Sequence, residues 1–257
     1  MSILWLVLVA AVFCGYFVLE GAVIGLGVLH PVLGRSPGER ARTVTALGPL
    51  MLAGEVWLVA LVGLLFGVYP QVEGDVLTGL HPIVVALLVA WLLRDAGVWF
   101  RRLSGGPRRQ WACDALITAG SLGLALAWGL AFARYLTGAE GAAATRAGAV
   151  LGAVIAALLA VHAAALTARR LPRAAEAVRR LGRLGHPAVT AALVTLASLG
   201  TTGSFAPHLL DNTAPAATLA AMSWVILPIV PFVAGAQWWA WRLFLRPAPP
   251  SDVPAFF

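Results

Sequence analysis

The sequence predicts an all-α fold: a polytopic transmembrane helix bundle of about seven spans, N-terminus outside and C-terminus cytoplasmic. Three observations carry that expectation. The 257 residues are 60% hydrophobic and 11% charged, against about 45–50% and about 25% in soluble domains. The apolar residues fall in continuous runs of about 20, the length that crosses a bilayer core about 30 Å thick. The 18 basic residues are all arginines, and most gather in short blocks between those runs. This composition excludes an ordinary soluble domain, a disordered chain and a collagenous or disulfide-rich scaffold. The net charge of +7 does not make nucleic acid a partner, because basic blocks between apolar runs are the pattern of cytoplasmic loops. A covert β-barrel would need alternating ten-residue strands rather than continuous apolar runs.

The seven runs lie at about 3–33, 45–69, 76–93, 115–132, 147–167, 187–205 and 218–241. The first is too long for a signal peptide and lacks a basic n-region, so it reads as an uncleaved helix. The sixth is the weakest, being rich in Thr, Ser and Ala. Orientation follows from the connections. Arg35, Arg40 and Arg42 fill the first loop, Arg101, Arg102, Arg108 and Arg109 the third, and Arg169, Arg170, Arg173, Arg179, Arg180 and Arg183 the fifth. Arg242 and Arg246 open the tail. The second loop has Glu73 and Asp75, the fourth Glu140 with the lone Arg146, and the sixth Asp211. Basic and non-basic loops alternate, which places the arginine-rich ones in the cytoplasm. The basic loop 169–183 can form a short amphipathic helix on the inner membrane surface, with Leu171, Ala174, Ala177, Val178 and Leu181 on one side. The tail 247–254 holds four prolines and should be irregular.

Ionisable groups inside lipid are costly, so each is a functional candidate. Glu20 in the first run and Glu55 in the second stand out as proton-path candidates; the bland alternative is a protonated or hydrogen-bonded packing residue. Five histidines are spread along the chain. His30 and His162 fall toward the same side and are conceivable axial haem ligands, though nothing in their spacing singles them out over packed residues. Cys14 and Cys113 make no disulfide or metal pattern, and no zinc or iron–sulfur spacing is present. Gly25-Leu26-Gly27 lacks the third glycine of a phosphate loop. Gly21 and Gly25, and Gly63 and Gly67, make Gly-x-x-x-Gly notches, which serve internal packing or a subunit interface. Most of the ten tryptophans sit near span ends, as an interfacial belt. Trp57 instead lies inside the second run, two residues after Glu55.

Taken together, Gly15-Tyr16-Phe17-Val18-Leu19-Glu20-Gly21 followed by Gly25-Leu26-Gly27 resembles the first-helix signature of subunit II of cytochrome bd-type quinol oxidases. Gly48-Pro49 and Glu55-Val56-Trp57-Leu58 resemble its second-helix signature. Gly120-Ser121-Leu122 and Ala127-Trp128-Gly129 are similar to its fourth helix, and Thr218-Leu219 through Leu227-Pro228 to Gln237-Trp238 to its last. The likeness is weak over 142–201.

The resemblance implies a haem-free membrane subunit of a quinol:oxygen oxidoreductase, with no catalytic residue of its own. It would stabilise a haem-bearing subunit I that holds the b- and d-type haems, and could give protons or oxygen access to them. Small single-span subunits and membrane lipid are further implied neighbours, and a bound quinone or lipid stays open. Trp57 matches a tryptophan on the family's oxygen route. The sequence also departs from the pattern. Val23 stands where the family usually has an aspartate, and Met51, Leu52, Ala53 and Gly54 replace a Trp-Asp-Gly-Asn. The chain reads as one span short of the family's eight, the missing helix falling between 183 and 212. Glu20 lies three residues before Val23 and Glu55 three after Leu52, roughly on the same helix faces. The expectation is that these two glutamates replace the lost carboxylates, or that protons enter only through the partner. The alternatives are a small independent transporter or channel, and a subunit of an inactive oxidase-like assembly.

Overall fold

A computed structural model describes residues 1–103, 105–137 and 141–245. Arg246, the proline-rich tail and Glu140 lie outside the described residues, as does the side chain of Leu52. Ten α-helices follow one another: α1 (Ser2–Leu33), α2 (Pro37–Val68), α3 (Pro70–Gly79), α4 (His81–Leu103), α5 (Pro107–Thr137), α6 (Gly141–Thr167), α7 (Pro172–Leu181), α8 (Pro187–Asp211), α9 (Ala216–Ile226) and α10 (Val230–Leu245). No strand occurs among the described residues. Five helices are long and apolar enough to cross a bilayer, and seven spans result if two bent pairs, α2 with α3 and α9 with α10, each count as one.

The central element is α1, which packs against α2, α5, α6 and α8. A helix apolar on all sides belongs inside a bundle, and every residue of α1 from Leu19 to Gly27 is buried. Small residues let its neighbours come close. A Cβ at Gly25 would overlap the backbone carbonyl of Leu159 on α6, and one at Gly27 would overlap Ser121 Oγ on α5. The same device joins α4 to α5, where a Cβ at Gly120 would meet the Ala90 carbonyl oxygen and the Arg94 nitrogen, each at 2.6 Å. Toward the end of α1 away from His30, Phe13, Phe17, Trp128 and Phe132 pack mostly edge to face, with centroids 5.0–6.1 Å apart.

Two breaks differ from the runs read in the sequence. The chain turns by 116° between α2 and α3, where Pro70 opens a new helix and removes a backbone donor. Residues 76–79 therefore belong to α3, and the next long helix starts at His81. It also runs on to Leu103, past Arg94 and Asp95. In the last run, α9 and α10 are bent by 42° around Pro228.

The arginine-rich connections are ordered by local chemistry. Ser36 caps α2: its Oγ accepts from Glu39 N at 3.3 Å, and Ser36 N donates to Glu39 Oε2 at 3.0 Å. The Ser36 N–H, together with the Arg35 N–H and Arg173, holds the Glu39 carboxyl below its ordinary range. Arg173 Nε on α7 donates to Glu39 Oε1 at 3.0 Å, so one carboxylate ties α7 to the start of α2. On the inner face of α7, Leu171 and Ala174 are buried and Val178 is half-buried, whereas Ala177 and Leu181 are exposed.

The glycine contacts are directly testable. Gly25→Val should destabilise the bundle by about 1–3 kcal/mol, the usual cost of overpacking. Gly63→Val, where nothing lies within 4 Å of the added carbon, should stay within about 0.5 kcal/mol. Unfolding of the detergent-purified protein by heat or dodecyl sulfate reads both; equal effects would remove the close α1–α6 approach as a determinant of stability.

Candidate functional site

The carboxylates of the first two spans converge on an arginine from a third helix. Arg94 of α4 is fully buried and Glu20 of α1 nearly so. Arg94 Nη1 donates to Glu20 Oε1. Its Nε donates to Asp95 Oδ1 at 2.8 Å, and its Nη2 lies 2.7 Å from the same oxygen. Glu55 of α2 is half-buried and lies within electrostatic reach of Asp95, Glu20 and Arg94. Gly54 allows the approach: a Cβ there would lie 2.9 Å from Glu20 Cα. Three carboxyl groups and one guanidinium thus meet where α1, α2 and α4 come together.

A second polar layer lies farther along α1. His30 Nε2 donates to Asp114 Oδ1 of α5 at 2.8 Å. Arg101 of α4 donates to the same oxygen, and Arg40 Nη1 of α2 to Oδ2 at 3.2 Å. Arg40 also closes the α1–α2 turn through Gly34 O at 2.9 Å. Arg94 and Arg101 are seven residues apart on α4, which separates the two layers by about 10 Å along the helix. The space between is mostly aliphatic: Val23, Val98 and Ile117 are buried members of one apolar cluster, with the Ser121 hydroxyl buried against Gly27. Val23 thus occupies the position of the expected aspartate with hydrocarbon.

Each remaining candidate has a defined place. Trp57 lies with its ring face against Gly15, at 2.5–2.7 Å from the carbon a side chain would add there. It also lines an apolar groove of about 370 Å³ between α1, α2 and α10, with Leu8, Val12, Gly63, Val230 and Val233. Gly21 and Gly25 receive Leu159 of α6, and Gly67 receives Met222 of α9; only Gly63 of these four faces open space. His162 is buried with Nδ1 3.0 Å from Thr190 Oγ1 and Nε2 donating to the Val18 carbonyl at 3.0 Å. With both its ring nitrogens engaged, it and His30 do not present two free axial imidazoles. Among the described residues no cluster of three or more His, Cys, Asp or Glu could hold a metal ion.

From the sequence, Arg101 is read only as a loop arginine, and Arg94, Asp95 and Asp114 are not singled out. The third apolar run ends at Leu93, so Arg94 and Asp95 read in sequence as a span boundary. The signal was present: Ala96-Gly97-Val98-Trp99-Phe100 continues the apolar pattern beyond them. The seven-residue spacing of Arg94 and Arg101 puts both on one helix face.

Residues 1–210 match the family described as Cytochrome bd terminal oxidase subunit II. A subunit 2 of cytochrome bd ubiquinol oxidase from Bacillus subtilis (strain 168) is 36% identical over 98 residues, 38% of this chain and 29% of the relative. A probable cytochrome oxidase subunit 2 from Haemophilus influenzae is 30% identical over 135 residues, 52% of this chain and 36% of the relative. Subunit 2 of cytochrome bd-I ubiquinol oxidase from Escherichia coli (strain K12) is 29% identical over the same extent. The aligned stretch therefore spans about a third of the length of these relatives.

Removing one partner of a buried ion pair strands the other, at a cost of about 3–5 kcal/mol. Arg94→Gln should destabilise the protein by that amount. Adding Glu20→Gln should restore part of the loss, since the stranded charge is gone. A double-mutant cycle on unfolding free energies checks this; strictly additive effects would mean that Arg94 and Glu20 do not depend on each other.

Proposed function

Because the chain belongs to the cytochrome bd terminal oxidase subunit II family, we propose that it works as the haem-free subunit of a quinol:oxygen oxidoreductase in a bacterial inner membrane. Its partner on this reading is a subunit I that binds the b- and d-type haems. This chain contributes a rigid helix surface and a proton-holding group. The observation that carries the reading is the buried Glu20–Arg94 pair with half-buried Asp95 and Glu55 beside it, an expense in lipid that packing alone does not require.

The two glutamates take different parts. Glu20 is clamped by a fully buried guanidinium, which favours a fixed counter-charge. Glu55 is half-buried beside that pair, and the Arg94 hydrogen bonds go to Glu20 and Asp95, so a proton on Glu55 can leave and return without breaking them. Protons from the His30–Asp114 side would have to cross the aliphatic layer of Val23, Val98 and Ile117. Entry at the exposed edge of Glu55 avoids that layer. Trp57 and the apolar groove beside it suit a small apolar species such as oxygen, or a quinone or lipid tail. On this reading the arginine-rich connections face the cytoplasm, with the N-terminus outside and the C-terminus inside.

A redox difference spectrum of the affinity-tagged protein, purified gently from native membranes with mass spectrometry on the same fraction, tests the assembly. Haem bands together with a second polytopic protein are expected; a colourless chain on its own would overturn the reading. In that complex Glu55→Gln should lower quinol-dependent oxygen uptake by about an order of magnitude or more, the scale of a positioned proton donor. Unchanged turnover in the combined Glu20→Gln, Glu55→Gln variant would end the proton-holding role.

A further inference from the structure

A groove of about 720 Å³ opens at the arginine-rich end of the bundle, between the last turns of α1, the later part of α6, and α7. Its floor is hydrocarbon, with Val32 from α1, Val161 and Ala164 from α6, and Leu181 from α7. Its rim carries the guanidinium groups of Arg35, Arg173 and Arg180 against one carboxylate, Glu176. The rim is preformed rather than floppy, because α7 is anchored by buried Leu171 and Ala174 and by the Arg173–Glu39 contact.

The arginines are unequally committed. Arg173 is held by Glu39 at 3.0 Å. Arg180 meets Glu176 at 2.7 Å, but both are largely exposed, and such pairs one turn apart contribute little and exchange partners readily. The Arg35 guanidinium has no ion pair among the described residues; only its backbone N–H is used, in the α2 cap. An apolar floor continuous with membrane-spanning helices, under a rim with a surplus of positive charge, complements a molecule that is anionic at one end and hydrocarbon at the other.

We infer that this groove binds an anionic glycerophospholipid of the inner leaflet. Its phosphate sits between Arg35 and Arg180, and an acyl chain lies along Val32, Val161 and Ala164. The guanidinium fork suits phosphate oxygens. The positive surplus distinguishes such a lipid from a zwitterionic one and from a neutral quinone. The site is separate from the Glu20–Glu55 cluster and stands whether or not that cluster moves protons.

The test uses the tagged protein with its copurifying subunits, delipidated in detergent. It is incubated with dioleoylphosphatidylglycerol, dioleoylphosphatidylcholine or inorganic phosphate, and bound lipid is counted by native mass spectrometry. The phosphatidylglycerol should be retained and the phosphatidylcholine lost. Each surface arginine contributes a factor of about five to anionic-lipid binding, so Arg35→Gln with Arg180→Gln should weaken retention about twenty-five-fold. Ala164→Phe, which fills the floor and keeps the arginines, should also weaken it. Equal retention of the two lipids by the unmodified protein would overturn the inference, a result that needs no variant to fold. Full retention by the double variant would overturn it too. Displacement of the lipid by millimolar inorganic phosphate alone would show a bare anion site instead.

Discussion

The structure depends on placing a guanidinium where there is no water. Arg94 is fully buried between α1 and α4, and an unpaired arginine at mid-membrane is among the costliest residues a helix can carry. Glu20 and Asp95 offset that cost, and they can do so only if α1 and α4 stand in one register. Gly54 then brings α2 against the same carboxylate. One charge thus fixes three helices relative to one another, which nonspecific apolar packing cannot do in a solvent as apolar as the side chains themselves.

Close approach elsewhere comes from missing side chains. Gly25 against Leu159, Gly27 against Ser121, Gly120 against Ala90 and Arg94, and Gly129 against Gly152 bring α1, α4, α5 and α6 to backbone contact. The charged cluster needs those contacts, since the reach from α4 to Glu20 is fixed by how closely the helices pack. The glycine spacing and the buried charges are therefore one design seen from two sides. A loosened bundle would admit water or pull the ion pair apart.

Much of this was legible in the sequence. Continuous apolar runs declared a helical membrane protein because lipid leaves only helices and closed barrels to satisfy a backbone, and a barrel strand would alternate. Glu20 and Glu55 were visible because a carboxyl within an apolar run is anomalous on its own. Their partners were less visible, since Arg94 and Asp95 look like the natural end of a span when a chain is read in one dimension. The bends at Pro70 and Pro228 were hidden for a similar reason: hydropathy records how apolar a segment is and not its direction. Which glycines pack inward depends on helix rotation, so Gly25 and Gly63 looked alike in sequence although one faces α6 and the other an open groove.

The aliphatic layer of Val23, Val98 and Ile117 has an electrical consequence. It separates the His30–Asp114 layer from the Arg94 cluster by about 10 Å, roughly a third of the bilayer core. Hydrocarbon polarises little, so a membrane potential falls steeply across such a layer and gently across the charged layers on either side. The chain is built like a capacitor, with fixed charges as plates and valine and isoleucine as insulator. Any charge displaced through it would exchange work with the membrane voltage, in a sense set by its sign and direction, and a charge that stays on one side would not.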